Sequence, residues 1–330
     1  MVIIQFLLMS KFYVSPNSGK PLKKKGNWYI SENDAERFPI INSIPRFCSK
    51  SNYSKSFGYQ WNKFDITQLD SINKINLSKN RFYKSTNWDP AIISKENVLE
   101  VGSGAGRFTE IFLKTTNGTL HSIDYSNAVE ANYKNNIEFR KRLELSQASI
   151  YEMPFADNTF DKIFCFGVLQ HTPSFEKSIE SIVKKTKIGG EIVVDFYPIK
   201  GWYTKVHSKY ILRPLTKKLN HKLLYKIISS NINWMMSLFD FLCLINLKIL
   251  TRFIPITDLS QFPQNLTFSQ RKKWAIMDTF DMFSPEFDNP MRIEKVKNLF
   301  IKYGCEVTFA GFVKNNPNIS GVVIRAIKCY

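Results

Sequence analysis

The stretch that decides the fold runs from residue 98 to residue 112 and reads VLEVGSGAGRFTEIF. Its first four residues suit a buried strand, the glycines suit a tight turn, and apolar residues at 108, 111 and 112 suit a helix. A glycine turn between a strand and a helix lets the backbone approach a ligand closely, with the amino end of the helix facing it. We therefore expect the first unit of an α/β sheet with a ligand at this turn; a tight turn without a ligand is the alternative.

The spacing of the glycines narrows the class of ligand. A dinucleotide fingerprint counted from Gly102 would need its third glycine where this chain has Arg107. The chain instead has E-x-G-x-G-x-G from Glu100 to Gly106, and Asp124 follows 22 residues after Gly102 at the end of the next predicted strand. A carboxylate there can accept hydrogen bonds from both hydroxyls of a ribose. The pattern predicts a nucleoside-containing ligand, and capping of the next helix is the alternative role for Asp124.

Strands and helices alternate on both sides of this turn. After the helix that follows the glycines, TLHSID, FDKIFCFG and GGEIVVDFYP are typical of strands, whereas residues 127–145 and FEKSIESIVKKT are typical of helices. MRIEKVKNLFIKYG then predicts a helix ended by Gly304, followed by the closing antiparallel strands CEVTFAGF and SGVVIRAIK. Such alternation implies parallel strand pairing and an α/β fold.

Composition and charge limit the classes of protein and of partner that remain. Forty-four per cent of the 330 residues are hydrophobic, which excludes disorder throughout. The net charge of +18 favours acidic partners such as nucleic acid, anionic lipid or phosphorylated substrates, and codon bias explains it equally well. The five cysteines are scattered, which favours a reducing, cytoplasmic compartment over a disulfide framework or a zinc finger. The initial MVIIQFLLMSK predicts a first strand, because a signal peptide would carry a basic region and a cleavage site.

Residues 197–285 interrupt the alternation of strands and helices. They hold 13 Lys and Arg against 4 Asp and Glu, and their pattern is helical. Their longest uncharged stretch is 13 residues, 227–239, which is shorter than the roughly 18 residues that span a bilayer. The predicted regions are a small module at 1–50, an aromatic-rich extension at 51–94, the α/β domain at 95–196 and 286–330, and a basic helical lid at 197–285.

Four ordered stretches carry a resemblance to a known family: VLEVGSGAGRFTEIF, HSIDYS, SIYEMPFADNTFDKIFCFGVLQHT and KKTKIGGEIVVDFY. Together they resemble the class I S-adenosylmethionine-dependent methyltransferases, and most closely the small-molecule or ubiquinone-type subgroup. The resemblance covers about residues 95–197 and the closing elements after 291. It implies a Rossmann-like seven-stranded sheet, S-adenosyl-L-methionine as cofactor, and methyl transfer as the reaction.

The resemblance also implies which residues hold the cofactor. The glycine loop would bind the methionine part of the cofactor, and Asp124 followed by Tyr125 would bind the ribose. Ser149 and Ile150 would border the adenine. The stretch 166–169 would form the floor of the site. The family often has Asp at the position of Ser149, so we expect a weaker or backbone contact there. The implied cofactor residues are Glu100, Gly102, Ser103, Gly104, Gly106, Asp124, Tyr125, Ser149, Ile150, Phe166, Gly167 and Leu169.

The first 47 residues resemble a second module, the small zinc ribbon of methyltransferase-activator proteins. PNSGKPL and ERFPIINSIPRF carry this resemblance, but the ligand positions read Ser15, Ser18, Ser31 and Asp34. Because no thiolate remains, we expect the ribbon without zinc and no metal site elsewhere. Its small core is predicted at Trp28, Tyr29, Ile30, Ile40, Ile44 and Phe47. SFGYQWNKFDITQLD and DTFDMFSPEFDNP also resemble segments of methyltransferases from bacterial surface-polysaccharide gene clusters.

The acceptor is narrowed by motifs that this chain lacks. Methylases of exocyclic amines resemble one another in a [DNS]PP[FYW] loop, where this chain reads Cys165-Phe166-Gly167-Val168, and a Pro-Cys nucleophile for pyrimidine carbon is also missing. We therefore favour a hydroxyl acceptor on a sugar, glycolipid or other small molecule, with carbon second. The expected catalytic base is His171, with Asp195 and Tyr197 at the end of the next strand as further candidates; a structural histidine is the alternative.

Two other functions remain open, an RNA methyltransferase, suggested by the charge, and a non-enzymatic cofactor-binding scaffold. The acidic island DTFDMFSPEFD is expected to grip sugar hydroxyls, a metal or neighbouring lysines. The lid carries WMMSLFDFLCLINLKIL, whose apolar residues fall near helical spacing. We expect it either to pack within the lid or to contact an anionic membrane from the cytoplasmic side. The sequence leaves the oligomeric state open.

Overall fold

A computed structural model of the chain describes residues 13–32, 35–49, 52–316 and 319–330, with the side chains of 315–320 left out. The strand predicted at the very start of the chain lies outside the described residues, as does Asp34. In the described part, there are two sheets, and a large cavity is lined by residues of the larger sheet, of the helices and of the loops between them.

The amino-terminal sheet is small and antiparallel. Its strands follow in chain order as β1 (Leu22–Lys25), β2 (Trp28–Ser31), β3 (Arg37–Ile41) and β4 (Ile44–Pro45). Tyr29, Ile44 and Phe47 are buried as predicted, but Trp28 is 44% exposed. The prediction for Trp28 is wrong because this residue pairs with Lys25 beside the β1–β2 turn, where strand alternation points it to solvent.

Three of the predicted zinc-ligand positions instead form a hydrogen-bonded network. Ser15 Oγ donates to Glu36 Oε1 at 2.7 Å, and Ser18 Oγ donates to Glu36 Oε2 at 2.5 Å. Glu36 N donates to Ser31 Oγ at 3.1 Å. The bonds from Ser18 and Ser15 lower the pKa of the Glu36 carboxyl. The carboxylate and the amide of Glu36 therefore join the loop before β1 to the connection between β2 and β3.

The large sheet has seven strands, as predicted. Their order is β10-β11-β9-β8-β5-β6-β7, in which five strands from β9 to β7 are parallel and β11 is antiparallel to both its neighbours. The strands are β5 (Asn97–Val101), β6 (Thr119–Asp124), β7 (Leu143–Gln147), β8 (Phe160–Cys165), β9 (Thr186–Phe196), β10 (Cys305–Asn316) and β11 (Ile319–Lys328). The α/β, Rossmann-like fold class is confirmed.

Ten helices accompany the two sheets in the described part of the chain. They are α1 (Lys55–Lys63), α2 (Asp70–Asn73), α3 (Leu77–Thr86), α4 (Arg107–Thr115), α5 (Val129–Asn136), α6 (Phe175–Lys185), α7 (Ser208–Thr216), α8 (His221–Leu244), α9 (Phe268–Phe283) and α10 (Ile293–Lys302). The helix predicted over 127–145 is too long, because α5 ends at Asn136 and residues 143–147 form β7. This five-residue strand has too little alternation to be seen in sequence, and its pairing with β6 decides its conformation.

The small sheet docks on the free edge of β7 through one arginine. Phe47 N donates to Gln147 O at 2.8 Å, which extends the large sheet by a short parallel bridge. The buried Arg46 donates from Nη1 to Gln147 Oε1 at 3.0 Å and pairs through Nη2 with Glu130. The module at the start of the chain is thus joined to the β7 edge by backbone and charged contacts together.

The segment between β9 and α10 builds a second hydrophobic core. A 3-10 turn at Trp202–Lys205 precedes α7, and two more at Lys248–Phe253 and Leu259–Gln261 connect α8 to α9. One face of α8 packs on α9 and on residues of the extension, including Phe64 and Leu77. The buried residues of α8 are Leu224, Ile228, Ile232, Met235, Met236 and Phe239. This packing holds α9 above the carboxyl edge of the large sheet.

Candidate functional site

The glycine turn has no room for side chains. Gly102, Gly104 and Gly106 have φ values of +80°, +52° and +85°, which favour glycine. A Cβ at Gly102 would lie 2.1 Å from Val168 Cγ2, and one at Gly106 would lie 2.3 Å from Asn132 Oδ1. Backbone bonds from Gly102 N and Ser103 N to Ile123 O, at 2.8 and 3.1 Å, hold the turn against β6. Residue type and hydrogen bonds together determine this backbone path.

Asp124 lies at the carboxyl end of β6 and holds the same turn from below. Its Oδ2 accepts a hydrogen bond from Gly104 N at 2.8 Å, and its Oδ1 accepts from Ser126 N and Ser126 Oγ, both at 2.7 Å. Burial raises its pKa, and the three donors oppose that rise. The next helix, α5, has Ala128 at its N-cap, so Asp124 does not cap it. The carboxylate therefore orients the glycine turn.

A cavity of about 680 Å³ lies at the carboxyl ends of β5, β6, β8 and β9. This is the edge at which open α/β sheets bind ligands, and the volume falls within the range of about 300–1,000 Å³ that is usual for small-molecule sites. Among the predicted residues, those that line it are Gly102, Ser103, Gly104, Asp124, Tyr125, Ile150, Phe166, Gly167, His171, Asp195 and Tyr197.

Four predicted cofactor residues do not line this cavity. Glu100 points into the protein, where Oε2 accepts hydrogen bonds from Ser122 Oγ at 2.8 Å and from Thr109 Oγ1. Burial raises the pKa of Glu100 to about 7. Ser149 Oγ accepts from Tyr151 N at 3.2 Å, Leu169 is fully buried, and Gly106 packs against α5. These four side chains therefore pack behind the residues that line the cavity, and their predicted contact with the cofactor stays a prediction.

The residues of the turn fit the cofactor that the sequence predicts. Ser103 Oγ is buried and has no hydrogen-bond partner among the described residues, although Ser103 lines the cavity. A buried hydroxyl is normally satisfied, so this one indicates a polar ligand group beside the turn. Asp124 and Tyr125 lie in the same wall, and Ile150 offers an apolar surface next to them. The polar loop matches the methionine part of the cofactor, and the carboxylate matches the ribose. The apolar wall matches the adenine.

His171 lies at the other end of the cavity in a defined tautomer. Its Nδ1 is 3.0 Å from Phe287 O, and because a carbonyl oxygen only accepts, Nδ1 carries the proton and Nε2 keeps its lone pair. The ring packs against Phe57 and Tyr197, with centroids 5.0 and 5.6 Å apart. Burial lowers the pKa of His171, with Asp281 and Asp288 opposing it. The imidazole is therefore neutral near pH 7 and able to accept a proton.

Asp195 and Tyr197 are less suited to act as bases. Asp195 Oδ1 accepts from Gly167 N at 2.5 Å and Oδ2 pairs with Arg81, so both oxygens already have partners. Burial raises the pKa of Tyr197 well above its ordinary value, and its hydroxyl donates to Asp281 Oδ2 at 3.3 Å. The geometry thus gives Asp195 a positioning role and makes Tyr197 a hydrogen-bond donor.

Two arginines that were not predicted from the sequence also line the cavity. Arg81 comes from α3 and pairs with Asp195 across 114 positions of sequence. Arg107 donates from Nη1 to Gln68 Oε1 at 2.6 Å and from Nε to Ser78 Oγ at 3.2 Å, and the described residues place no carboxylate within 4.0 Å of it. Burial lowers the pKa of Arg107 to about 9, with Arg81 adding to the effect. A cation at the first position of a helix is unfavourable because it opposes the helix dipole. This unusual placement is the sequence feature from which a special role of Arg107 could have been predicted.

Most of the acidic island lies around the acceptor end of the cavity. Asp278 and Asp281 on α9 line it, and burial raises the pKa of Asp278 to about 7, with Asp281 adding to the rise. Asp288 instead pairs with Lys209 at 2.5 Å and with Arg213 at 3.4 Å, and Glu286 is exposed. No cluster of three or more potential metal ligands is present in the described ranges of the chain. Two of the four carboxylates can therefore meet an acceptor.

We expect Asp124→Ala to weaken S-adenosylmethionine binding by roughly 1.5–3 kcal/mol, about 10- to 150-fold, because it removes a charged acceptor of hydrogen bonds. Isothermal calorimetry measures this. Asp157→Ala, which changes an exposed carboxylate far from the turn, is the matched control and should bind normally. Tight binding of NAD with no binding of S-adenosylmethionine by the unaltered protein would contradict the assignment of this site.

Part of the chain is similar to known methyltransferases. Residues 99–194 match the model of the family described as Methyltransferase domain. The chain is 27% identical over 111 residues to a tRNA U34 carboxymethyltransferase of Nautilia profundicola (33% of this chain, 37% of that protein) and 26% identical over 130 residues to a sterol 24-C-methyltransferase of Saccharomyces cerevisiae (34% of each). It thus spans about a third of the length of these relatives.

A solved S-adenosylmethionine-dependent methyltransferase from Aquifex aeolicus aligns with 84% of this chain and 99% of its own, at a TM-score of 0.42 and 12% identity. The matched family segment begins in β5 and ends in β9, so it holds the glycine turn, Asp124 and the stretch around His171. By the family match, residues 99–194 carry a methyltransferase domain, for which S-adenosylmethionine is the cofactor.

Proposed function

We propose that this chain transfers a methyl group from S-adenosylmethionine to a hydroxyl of a sugar, glycolipid or other small hydroxylated acceptor. The observation that carries the proposal is the acceptor end of the cavity, where a neutral His171 lies among carboxylates and aromatic rings. The cofactor, when bound, supplies an electrophilic methyl group on a sulfonium. The chain's own residues must then align the acceptor, exclude water and take up one proton.

Side chains of two kinds are available to align the acceptor. Asp281 and Asp278 can accept hydrogen bonds from hydroxyl groups, and Tyr197 can donate one. Phe57 and Trp61 of α1 add flat apolar surfaces to the lining, and Phe57 packs directly against the His171 ring. Hydroxyls next to apolar C–H faces are the surface that a saccharide presents. A few placed polar groups within an aromatic lining are typical of small-molecule sites.

His171 is the group that we assign to proton uptake. Its Nδ1–H bond to Phe287 O fixes the ring, so the lone pair on Nε2 is available to an acceptor hydroxyl in the cavity that His171 lines. Protonation of the ring would leave a cation beside Asp281 and Asp288, which favour the charged form. A base that is neutral at pH 7 and whose charged form is stabilised by neighbouring carboxylates can accept a proton in general-base catalysis.

RNA is the competing acceptor, and the charge distribution argues against it. Six carboxylates line the cavity against four Lys and Arg, and Asp278 and Asp281 are among those with no cation within 4.0 Å in the described part of the chain. A polynucleotide must bring phosphates to such a site, which this excess of carboxylates repels. The relative from Nautilia profundicola is named for tRNA, so RNA is included below as an acceptor fraction.

We also propose that residues 1–50 are a ribbon-type module whose metal has been replaced by hydrogen bonds. Three of its four expected ligand positions meet at Glu36, which bridges Ser15 and Ser18 while its own amide binds Ser31. Residues 51–94 would then be an extension that supplies α1 and α3 to the cavity, and 197–285 an insertion that covers it. Each unit supports the domain at 95–196 and 286–330.

The acceptor class is tested with S-adenosylmethionine carrying a labelled methyl group, incubated with saccharide, lipid and RNA fractions of the organism that carries the gene. We expect label in saccharide or lipid-linked saccharide, and we expect it to withstand mild alkali, since an ether is stable where an ester is not. Asp124→Ala is the control for cofactor dependence. Label confined to RNA would contradict the proposal.

We expect His171→Gln to lower kcat by about 100-fold or more with near-normal cofactor affinity. Because the pKa of His171 is lowered from its ordinary value of about 6.5, kcat of the unaltered enzyme should rise with pH to a midpoint below 6.5 and stay level above it. That rise should vanish in His171→Gln. Asp278→Asn removes the other cavity group that titrates near neutrality, at about pH 7, and should keep the rise. A rise that survives in His171→Gln would make the histidine structural.

Elemental analysis tests the metal-free ribbon. Hydroxyls are poor zinc ligands beside thiolates, so purified protein should hold no stoichiometric zinc after dialysis. Glu36→Ala should lower the melting temperature, because it leaves the hydroxyls of Ser15 and Ser18 without their shared acceptor, while the backbone bond to Ser31 remains. The exposed Glu32→Ala is the matched control. One equivalent of zinc that survives dialysis would overturn this proposal.

A further inference from the structure

We propose that the outer face of the insertion binds an anionic membrane surface. This face, which we call the basic apolar face, comprises the exposed stripe of α8, the 3-10 turns at Trp202–Lys205 and Lys248–Phe253, and the lysines around them. The proposal concerns binding alone and does not rest on the proposed function.

The stripe on α8 is apolar yet exposed. Its residues stand at intervals of three, four or seven along the helix, so they share one side. Trp234 is 50% exposed and Phe241 is 54% exposed, in the middle of the stripe. Its members are Leu223, Ile227, Trp234, Leu238, Phe241 and Ile245. The buried residues of α8 occupy the neighbouring side of the helix. The apolar surface of α8 is therefore wider than the part that packs in the core.

The apolar surface continues past the end of α8. Ile249 is 70% exposed and Phe253 is also exposed, both in the turn that follows the helix. Arg252 Nη2 donates to Tyr203 O at 2.6 Å, which places the turn that contains Trp202 next to this segment. Trp202 is 88% exposed. No partner covers these two tryptophans and the phenylalanine in the described chain. Exposed aromatic side chains of this kind are typical of proteins that contact the interfacial region of membranes.

The charges around this surface have one sign. Residues 202–253 contain nine Lys and Arg but one acid, Asp240, and Arg271 neutralises that acid through two bonds of 2.6 Å. The exposed lysines are Lys205, Lys217, Lys218, Lys222, Lys226 and Lys248. Lysines near an anionic lipid surface are attracted to it individually, and their effects add up. An apolar stripe flanked by cations matches the acyl and headgroup layers of such a surface.

The same features decide against other occupants. By length and composition α8 could cross a membrane, but its buried side forms a core with α9. Crossing would expose that core, so lying on the surface is the favoured geometry. A second copy of the chain would bring two sets of unpaired lysines together, and such like charges oppose association.

The test is flotation of the purified full chain with phosphatidylcholine vesicles, with and without phosphatidylglycerol. We expect binding to the vesicles that contain phosphatidylglycerol, at least tenfold weaker to phosphatidylcholine alone, and reversed by high salt. Trp234→Ser, Phe241→Ser and Ile245→Ser combined should reduce binding at least tenfold. So should Lys222→Glu with Lys226→Glu.

The matched control changes three exposed apolar residues outside the insertion, Ile92→Ser, Ile137→Ser and Ile188→Ser, and should bind vesicles normally. Melting temperature and cofactor affinity show that each variant is folded, and neither requires an acceptor. No binding at low salt, or equal loss in the control, would overturn the proposal. So would a dimer in sedimentation that the stripe variant alone dissociates.

Discussion

The rest of the site depends on a steric constraint at the glycine turn. Gly102 lies against Val168, and Gly106 lies against Asn132 of α5, so the turn is pressed between the loop after β8 and a helix. With the carboxylate of Asp124 bound to Gly104 N, the backbone has one available path. That path turns Ser103 toward the cavity and starts α4 immediately behind it. Removal of any of these contacts would therefore alter the backbone conformation of the whole loop and not only the position of one side chain.

From this turn, the parallel sheet brings the remaining groups to one edge. The carboxyl ends of β6, β8 and β9 carry Asp124, Gly167 and Asp195, and the bond from Gly167 N to Asp195 Oδ1 joins the last two. Arg81 on α3 then pairs with Asp195 and holds the extension over the sheet. The cofactor end and the acceptor end of the cavity are therefore connected through backbone amides and one ion pair.

Much of this arrangement could be predicted from local patterns. The glycine spacing and Asp124 are close in sequence, and the alternation of strands with helices predicted the sheet that contains them. Contacts between distant segments could not be predicted in this way. The pair of Arg81 with Asp195 spans 114 positions, the short strand β7 is decided by its neighbour, and the outward position of Trp28 depends on where a turn falls. Glu100 resembles a ligand residue in sequence, yet hydroxyls of Ser122 and Thr109 satisfy it inside the protein.

The charges of the chain are segregated, and this gives the excess of +18 a physical meaning. Cations crowd the outside of the insertion, whereas Asp258, Asp278 and Asp281 line the cavity that the insertion covers. A uniformly basic surface would draw polyanions to every face, but here carboxylates outnumber Lys and Arg in the cavity lining, which disfavours phosphates there. Attraction to an anionic surface and selection of an uncharged, hydroxyl-bearing acceptor can thus operate in one protein. The insertion would carry both properties on its two sides, because α8 faces outward with its stripe while α9 faces inward with its carboxylates.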